Sequence, residues 1–94
     1  MSTDYKAISF ILRGKRRKSI MLSLDKPKTP KQLASECKIS ISNVSNALAE
    51  LIEAGFVKCK TPDAHMYKYF ELTQKGKKAL KQSLAEETNS QRIK

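Results

Sequence analysis

With 94 residues, 19 of them Lys or Arg against 9 Asp or Glu, the chain has room for one domain with a small core, and its formal net charge of +10 calls for a partner rich in negative charge. Nucleic acid fits that balance best, an anionic membrane surface less well. No stretch approaches the roughly 20 apolar residues that cross a bilayer, and the opening MSTDYKAISF lacks the charged-then-apolar order of a secretion signal, so a soluble, cytoplasmic, nucleoid-associated protein is expected.

The first segment, about 4–13, holds Tyr5, Ile8, Phe10, Ile11 and Leu12. Ile8, Ile11 and Leu12 share a face at helical spacing, which favours a helix over a strand. Gly14 interrupts the run. The basic cluster Lys15, Arg16, Arg17 and Lys18 then leads into Ile20, Met21 and Leu24, a second amphipathic helix ending near Asp25. Gly14-Lys15 is no phosphate loop, because the preceding glycine and the following Ser or Thr of that motif are missing. The cluster is either a solvated helix start or a phosphate contact beside a reading element, and its composition also admits a nuclear localisation signal.

Lys26-Pro27-Lys28 reads as a loop able to add one short edge strand. Thr29-Pro30-Lys31-Gln32 is a strong helix start: Thr29 caps, Pro30 suits the first helical position, and Gln32 stands where a capping-box partner belongs. That helix buries Leu33, Ala34 and Cys37 and stops near Lys38, with Ile39 plugging the turn. Ser40 caps the next helix, 41–54, and Gly55 closes it in a left-handed conformation. Ile41, Val44, Leu48, Leu51 and Ile52 form its apolar stripe. Ser42, Asn43, Ser45, Asn46, Ala49 and Glu50 fall largely opposite. Solubility alone would favour Lys and Glu there; small polar residues let a backbone approach another molecule closely, and in so basic a chain that molecule is expected to be DNA.

Two short strands follow. In 56–60, Val57 and Cys59 alternate inward with Lys58 and Lys60 outward; in 67–72, Phe70 and Leu72 point inward. Residues 61–66 are a turn-rich hairpin loop. Thr73 caps a last helix, Gln74 to about Glu87, with Ala79, Leu80 and Leu84 as its apolar positions, and the polar tail 88–94 is expected to fray. Tyr67 and Tyr69 read as packing residues rather than base-stacking ones.

Catalytic chemistry has no footing. No Ser/His/Asp or Cys/His arrangement, carboxylate pair or Gly-rich phosphate loop occurs, so no enzyme is expected. Cys37 and Cys59 stand far apart, with His65 as the one histidine and no CxxC or HxxxH spacing, which leaves a structural zinc site unsupported and core packing as the reading for both thiols.

Helix, helix, helix-turn-helix, two-stranded hairpin and helix is the order of a winged helix. TPKQLASECKISISNVSNALAELIEAGFVKC followed by YFELTQKGKKAL resembles the small winged helix-turn-helix transcriptional regulators of the MarR/ArsR type, especially compact archaeal and bacterial ones, over about 14–80. The resemblance implies a mainly α fold with a small β-hairpin, one winged helix DNA-binding domain over 1–94 with its core at about 4–87, and a DNA-binding transcriptional regulator. It lays helix 41–54 in the major groove and the wing, 56–72, on the flanking backbone. Ser42, Asn43, Ser45 and Asn46 would face the bases. Arg16, Arg17, Thr29, Lys31, Ser40, Lys58, Lys60, His65 and Lys68 would meet the backbone. Glu50 would accept from a cytosine or face water. Such regulators act as symmetric dimers on two half-sites, which implies a homodimer through the N-terminal and last helices. The clustered Cys/His ligands of ArsR-type sensors have no counterpart, and no cofactor is expected. The reading helix carries no Arg or Lys, which keeps open a chromatin-like protein binding DNA without sequence preference, or a winged helix adaptor docking on another protein.

Overall fold

Capping residues set where the helices of the computed structural model begin. The structure describes residues 5–64 and 67–92, with side chains described as far as residue 85. In chain order the elements are α1 (Tyr5–Arg13), α2 (Lys15–Ser23), α3 (Pro30–Cys37), α4 (Ile41–Glu53), β1 (Val57–Cys59), β2 (Phe70–Leu72) and α5 (Gln74–Arg92). This is the expected mainly α architecture with one small hairpin. At α3 the capping box is complete: Gln32 N–H donates to Thr29 Oγ1 at 3.2 Å, and Thr29 N–H donates to Gln32 Oε1 at 2.9 Å. Ser40 Oγ accepts from Asn43 N–H at 3.1 Å at the start of α4, and Thr73 Oγ1 accepts from Gly76 N–H at 3.0 Å at the start of α5. The turn between α3 and α4 is tight because Lys38 takes a left-handed conformation (φ 57°). Gly55, at φ 84°, closes the far end of α4, as expected.

The hairpin is antiparallel, with Val57 opposite Leu72, Lys58 opposite Glu71 and Cys59 opposite Phe70. The second strand is shorter than its alternation suggested, since regular pairing begins only at Phe70. Lys28 adds a rung on the other edge of β2: its N–H donates to Phe70 O (3.0 Å) and its O accepts from Phe70 N–H (2.8 Å), the edge pairing expected of that loop. The Lys28 side chain is buried, its ammonium 2.6 Å from Glu36 Oε1 and 3.1 Å from Asp25 Oδ1. Hydrogen bonding to Glu36, then to Asp25, holds the lysine above its ordinary pKa, and the same lysine holds the Asp25 carboxyl below its own.

Ile8, Ile11, Ile20, Met21, Leu24, Leu33, Val44, Leu48, Leu51, Phe56, Val57 and Leu72 are buried, and nearly all belong to one continuous core cluster. Cys37 packs half-buried against it, 3.4 Å from Ser23 Oγ, and Cys59 is half-buried. Several side chains depart from the sequence expectation. Ile41 and Ile52 are 54% and 43% exposed, because they lie at the margin of the arc of α4 that Val44, Ala47, Leu48 and Leu51 bury. Ala47 is buried with the stripe instead. Leu12 is exposed, and Ala7 takes the core position on α1. Tyr67 and Tyr69 are exposed rather than packed. The last helix does not stop near residue 87: it continues to Arg92. Its buried face is Gly76, Ala79 and Ser83, while Leu84 is exposed. Ser83 is tolerated inside because its hydroxyl donates to Leu80 O at 2.8 Å.

That run of small residues lets α5 come close to the start of the wing. Phe56 O accepts from Thr73 N–H at 2.9 Å, and Thr73 Oγ1 donates to Gly55 O at 2.6 Å. A Cβ on Gly76 would stand 2.0 Å from Phe56 O, a backbone atom that cannot swing away. Gly76→Ala should therefore destabilise the fold by about 3 kcal/mol or more, read as a lower urea midpoint, whereas Lys77→Ala on the exposed side of α5 should leave the midpoint nearly unchanged.

Candidate nucleic-acid interface

Burying Val44, Ala47, Leu48 and Leu51 turns the opposite side of α4 outward, and that side carries Ser42, Ser45, Asn46 and Ala49, all exposed. Asn43 is half-buried on the flank toward α2. Between α4 and the start of α2 lies a groove of about 700 Å³, where Asn43 and Asn46 meet Arg13, Lys15 and Arg16. The structure thus brings two of the four base-facing candidates together with the basic cluster, and leaves Ser42 and Ser45 on the open ridge beside them.

Arg17 is occupied differently. Its Nε donates to Glu50 Oε1 at 3.0 Å, its Nη1 donates to Phe10 O at 2.9 Å, and its guanidinium lies 4.0 Å from the centroid of the Phe10 ring. One side chain thereby joins α1, α2 and α4. Glu50 is consequently neither facing water alone nor unpartnered, and the hydrogen bond from Arg17 holds its carboxyl below the ordinary carboxylate range.

The remaining candidates sit as follows. Arg16 and Lys31 are exposed. The Thr29 hydroxyl is taken up in the capping box and the residue is buried, while the Ser40 hydroxyl caps α4 on an exposed residue. On the wing, Lys58, Lys60 and Lys68 are exposed, and Lys58 Nζ lies 3.8 Å from Glu71 Oε2 across the strand pair. His65 lies outside the described residues. Sequence reading passed over the outward positions of Ile41, Tyr67 and Tyr69. The tyrosines fall on the outward side of the same alternation that turns Phe70 and Leu72 inward, and Tyr69 O still accepts from Lys60 N–H at 2.7 Å.

Among the described residues no three or more His, Cys, Asp or Glu group as a metal site requires, and no helix is long and apolar enough to cross a membrane.

The architecture and the site define a winged helix-turn-helix protein, and the comparisons agree. Residues 15–60 match the family described as a helix-turn-helix domain. A solved MarR family transcription regulator superposes with a TM-score of 0.75 at 22% identity, covering 95% of this chain and 63% of that one. A MarR family transcriptional regulator from Silicibacter pomeroyi gives 0.75 at 22% identity, over 92% of this chain and 60% of that one. The transcriptional regulator BldR from Sulfolobus solfataricus gives 0.73 at 18% identity, over 92% and 66%. The chain spans less than two thirds of the length of each of these three. The comparison with curated proteins finds no match. The protein is a small winged helix-turn-helix chain of MarR-type fold.

The Arg17–Glu50 contact makes a pH prediction. Because the Glu50 pKa is depressed in the fold, its contribution to stability is present above the unfolded carboxylate pKa and lost as pH falls through the folded value. Arg17→Ala should raise the Glu50 titration midpoint toward the ordinary glutamate value, read by carbon NMR of the side-chain carboxyl. It should also weaken the acid-side loss of stability that this contact causes.

Proposed function

We propose that the protein is a DNA-binding transcriptional regulator that lays α4 in the major groove and sets its wing on the flanking backbone. The observation that carries this reading is the exposed Ser/Asn ridge of α4, open to a groove it shares with Arg16 in a chain of net charge +10. In this arrangement Asn43 and Asn46 meet base edges, where an Asn side chain pairs two ways with adenine, and Ser42 and Ser45 meet bases or phosphates. Arg16, Lys31, Lys58, Lys60 and Lys68 supply charge to the backbone, with His65 as a further backbone contact and Thr29 and Ser40 at the N-terminal ends of α3 and α4. Arg17 acts through Glu50, fixing the orientation of α4 while adding to the positive field.

The protein works as a homodimer on two half-sites, with α1 and α5 as the interface. Tyr5 and Leu12 on α1 and Leu84 on α5 are large apolar residues at 66%, 37% and 38% exposure, more than these helices need for their own core. Sedimentation at two concentrations should show dimer mass; a monomer mass at both would remove the two-half-site arrangement.

Binding without sequence preference is favoured by one observation: α4 carries no Arg or Lys, so the commonest guanine contact is missing. Selection from a pool of random duplexes at two salt concentrations separates the readings, an enriched motif marking a sequence-specific regulator and unenriched, salt-labile binding an architectural protein. Asn43→Ala with Asn46→Ala should cost about 1–3 kcal/mol per lost base contact on the selected site and little on random DNA. Lys58→Ala with Lys60→Ala should lower affinity for all sequences and reduce the slope of log affinity against log salt by about 2.

A further inference from the structure

Between the start of α3, the start of α4 and the approach to β2 lies a notch of about 460 Å³ that the base-reading ridge does not use. Its lining includes Pro30, Ile41, Tyr67 and Tyr69 together with Lys31 and Lys68. Ile41, Tyr67 and Tyr69 are 54%, 65% and 38% exposed, an unusual concentration of apolar surface in a strongly basic chain. No carboxylate stands among its described lining residues. The first turns of α3 and α4 both border it, so two positive helix ends reinforce the two lysines.

A lining that joins apolar side chains to two lysines is complementary to a nucleotide backbone, whose sugar is largely hydrocarbon and whose linking group is an anion. We infer that this notch is a backbone clamp. It holds one deoxyribose of the strand running between the major and minor grooves against Ile41 and Tyr67, with the adjoining phosphate between Lys31 and Lys68. The inference rests on the DNA-binding reading and extends it. A notch between a groove-reading helix and its wing faces the strand that separates the two grooves, and burying a sugar there fixes how far α4 enters the groove without reading a base. Ile41 and Tyr67 are thus positioning residues for the reading ridge, and their contribution is apolar rather than ionic.

The test is duplex binding across a range of salt by wild type, Ile41→Ala with Tyr67→Ala, and Lys31→Ala with Lys68→Ala, each checked for an unchanged thermal unfolding curve. Both residues of the apolar pair are exposed, so the pair should fold normally. The apolar pair should weaken binding about ten-fold on every sequence while keeping the wild-type salt slope, since removing hydrocarbon contact releases no counterions. The lysine pair should reduce that slope by about 2. Wild-type affinity in the apolar pair, with Lys58→Ala and Lys60→Ala still weakening binding, would overturn the clamp and leave the DNA-binding reading standing. A loss that disappears when deoxyuridine replaces thymidine in the duplex would also overturn it, because the contact would then be to a base methyl group. Failure of the wild-type protein to bind any duplex would overturn both readings.

Discussion

Phe56 O stands where α4 ends, the wing begins and α5 docks, and the placement of all three depends on how closely α5 can approach it. Thr73 N–H bonds that carbonyl and the Thr73 hydroxyl bonds its neighbour at Gly55, so the first turn of α5 is tied to the backbone just past Gly55. Only a residue without a Cβ fits at position 76. The Phe56 ring, buried beside this junction, meets Phe10 edge to face at 5.9 Å, while Lys75 lies over it and bonds Ala54 O at 3.0 Å. The helix α4, the hairpin and α5 are therefore fixed relative to one another through a few atoms. An interface that needs α4 and the wing at a set separation depends on that junction.

Charge is divided between two tasks. Arg17 and Lys28 are drawn into the protein, the first between Phe10 and Glu50, the second between Asp25 and Glu36. Both are tied to elements of the helix-turn-helix, so part of the basic excess holds the fold together instead of facing outward. Arg16, Lys31, Lys60 and Lys68 remain on the outside. Adjacent residues of one basic run, Arg16 and Arg17, thus have opposite fates. The helical turn decides between them: Arg17 reaches Glu50 and Phe10, while Arg16 stays exposed and lines the groove beside α4.

Features decided by near neighbours were legible in the sequence. The capping box at Thr29, the cap at Ser40 and the left-handed Gly55 depend on residues within four positions, and all three occur as expected. The order of elements followed from them. Less legible were features decided by what lies opposite in space. Ile41 and Ile52 fit the apolar spacing of α4, but spacing does not tell how wide an arc the neighbouring elements cover, and both lie at its margin. Leu84 looked like core because it is apolar, yet the face of α5 that packs inward needs small residues, and Ser83 fills that place. The pairing of Arg17 with Glu50 spans 33 positions and leaves no local trace. The tyrosines are a different case: alternation with Phe70 and Leu72 already turns Tyr67 and Tyr69 outward, and reading them as packing residues set that pattern aside.

Lys28 gives the loop before α3 a fixed length. Its backbone extends the hairpin by a rung at Phe70 while its side chain reaches back to Asp25 and forward to Glu36, so one residue is bound in three directions. A strand residue shifted by one position turns its side chain to the opposite face. Adding or removing a single residue between 25 and 28 would therefore force a choice: keep the rung and turn the ammonium outward, or keep the ion pairs and release the wing. Spacing in this loop is as specified as any side chain in the core, although nothing in its own composition, Lys-Pro-Lys, would suggest it.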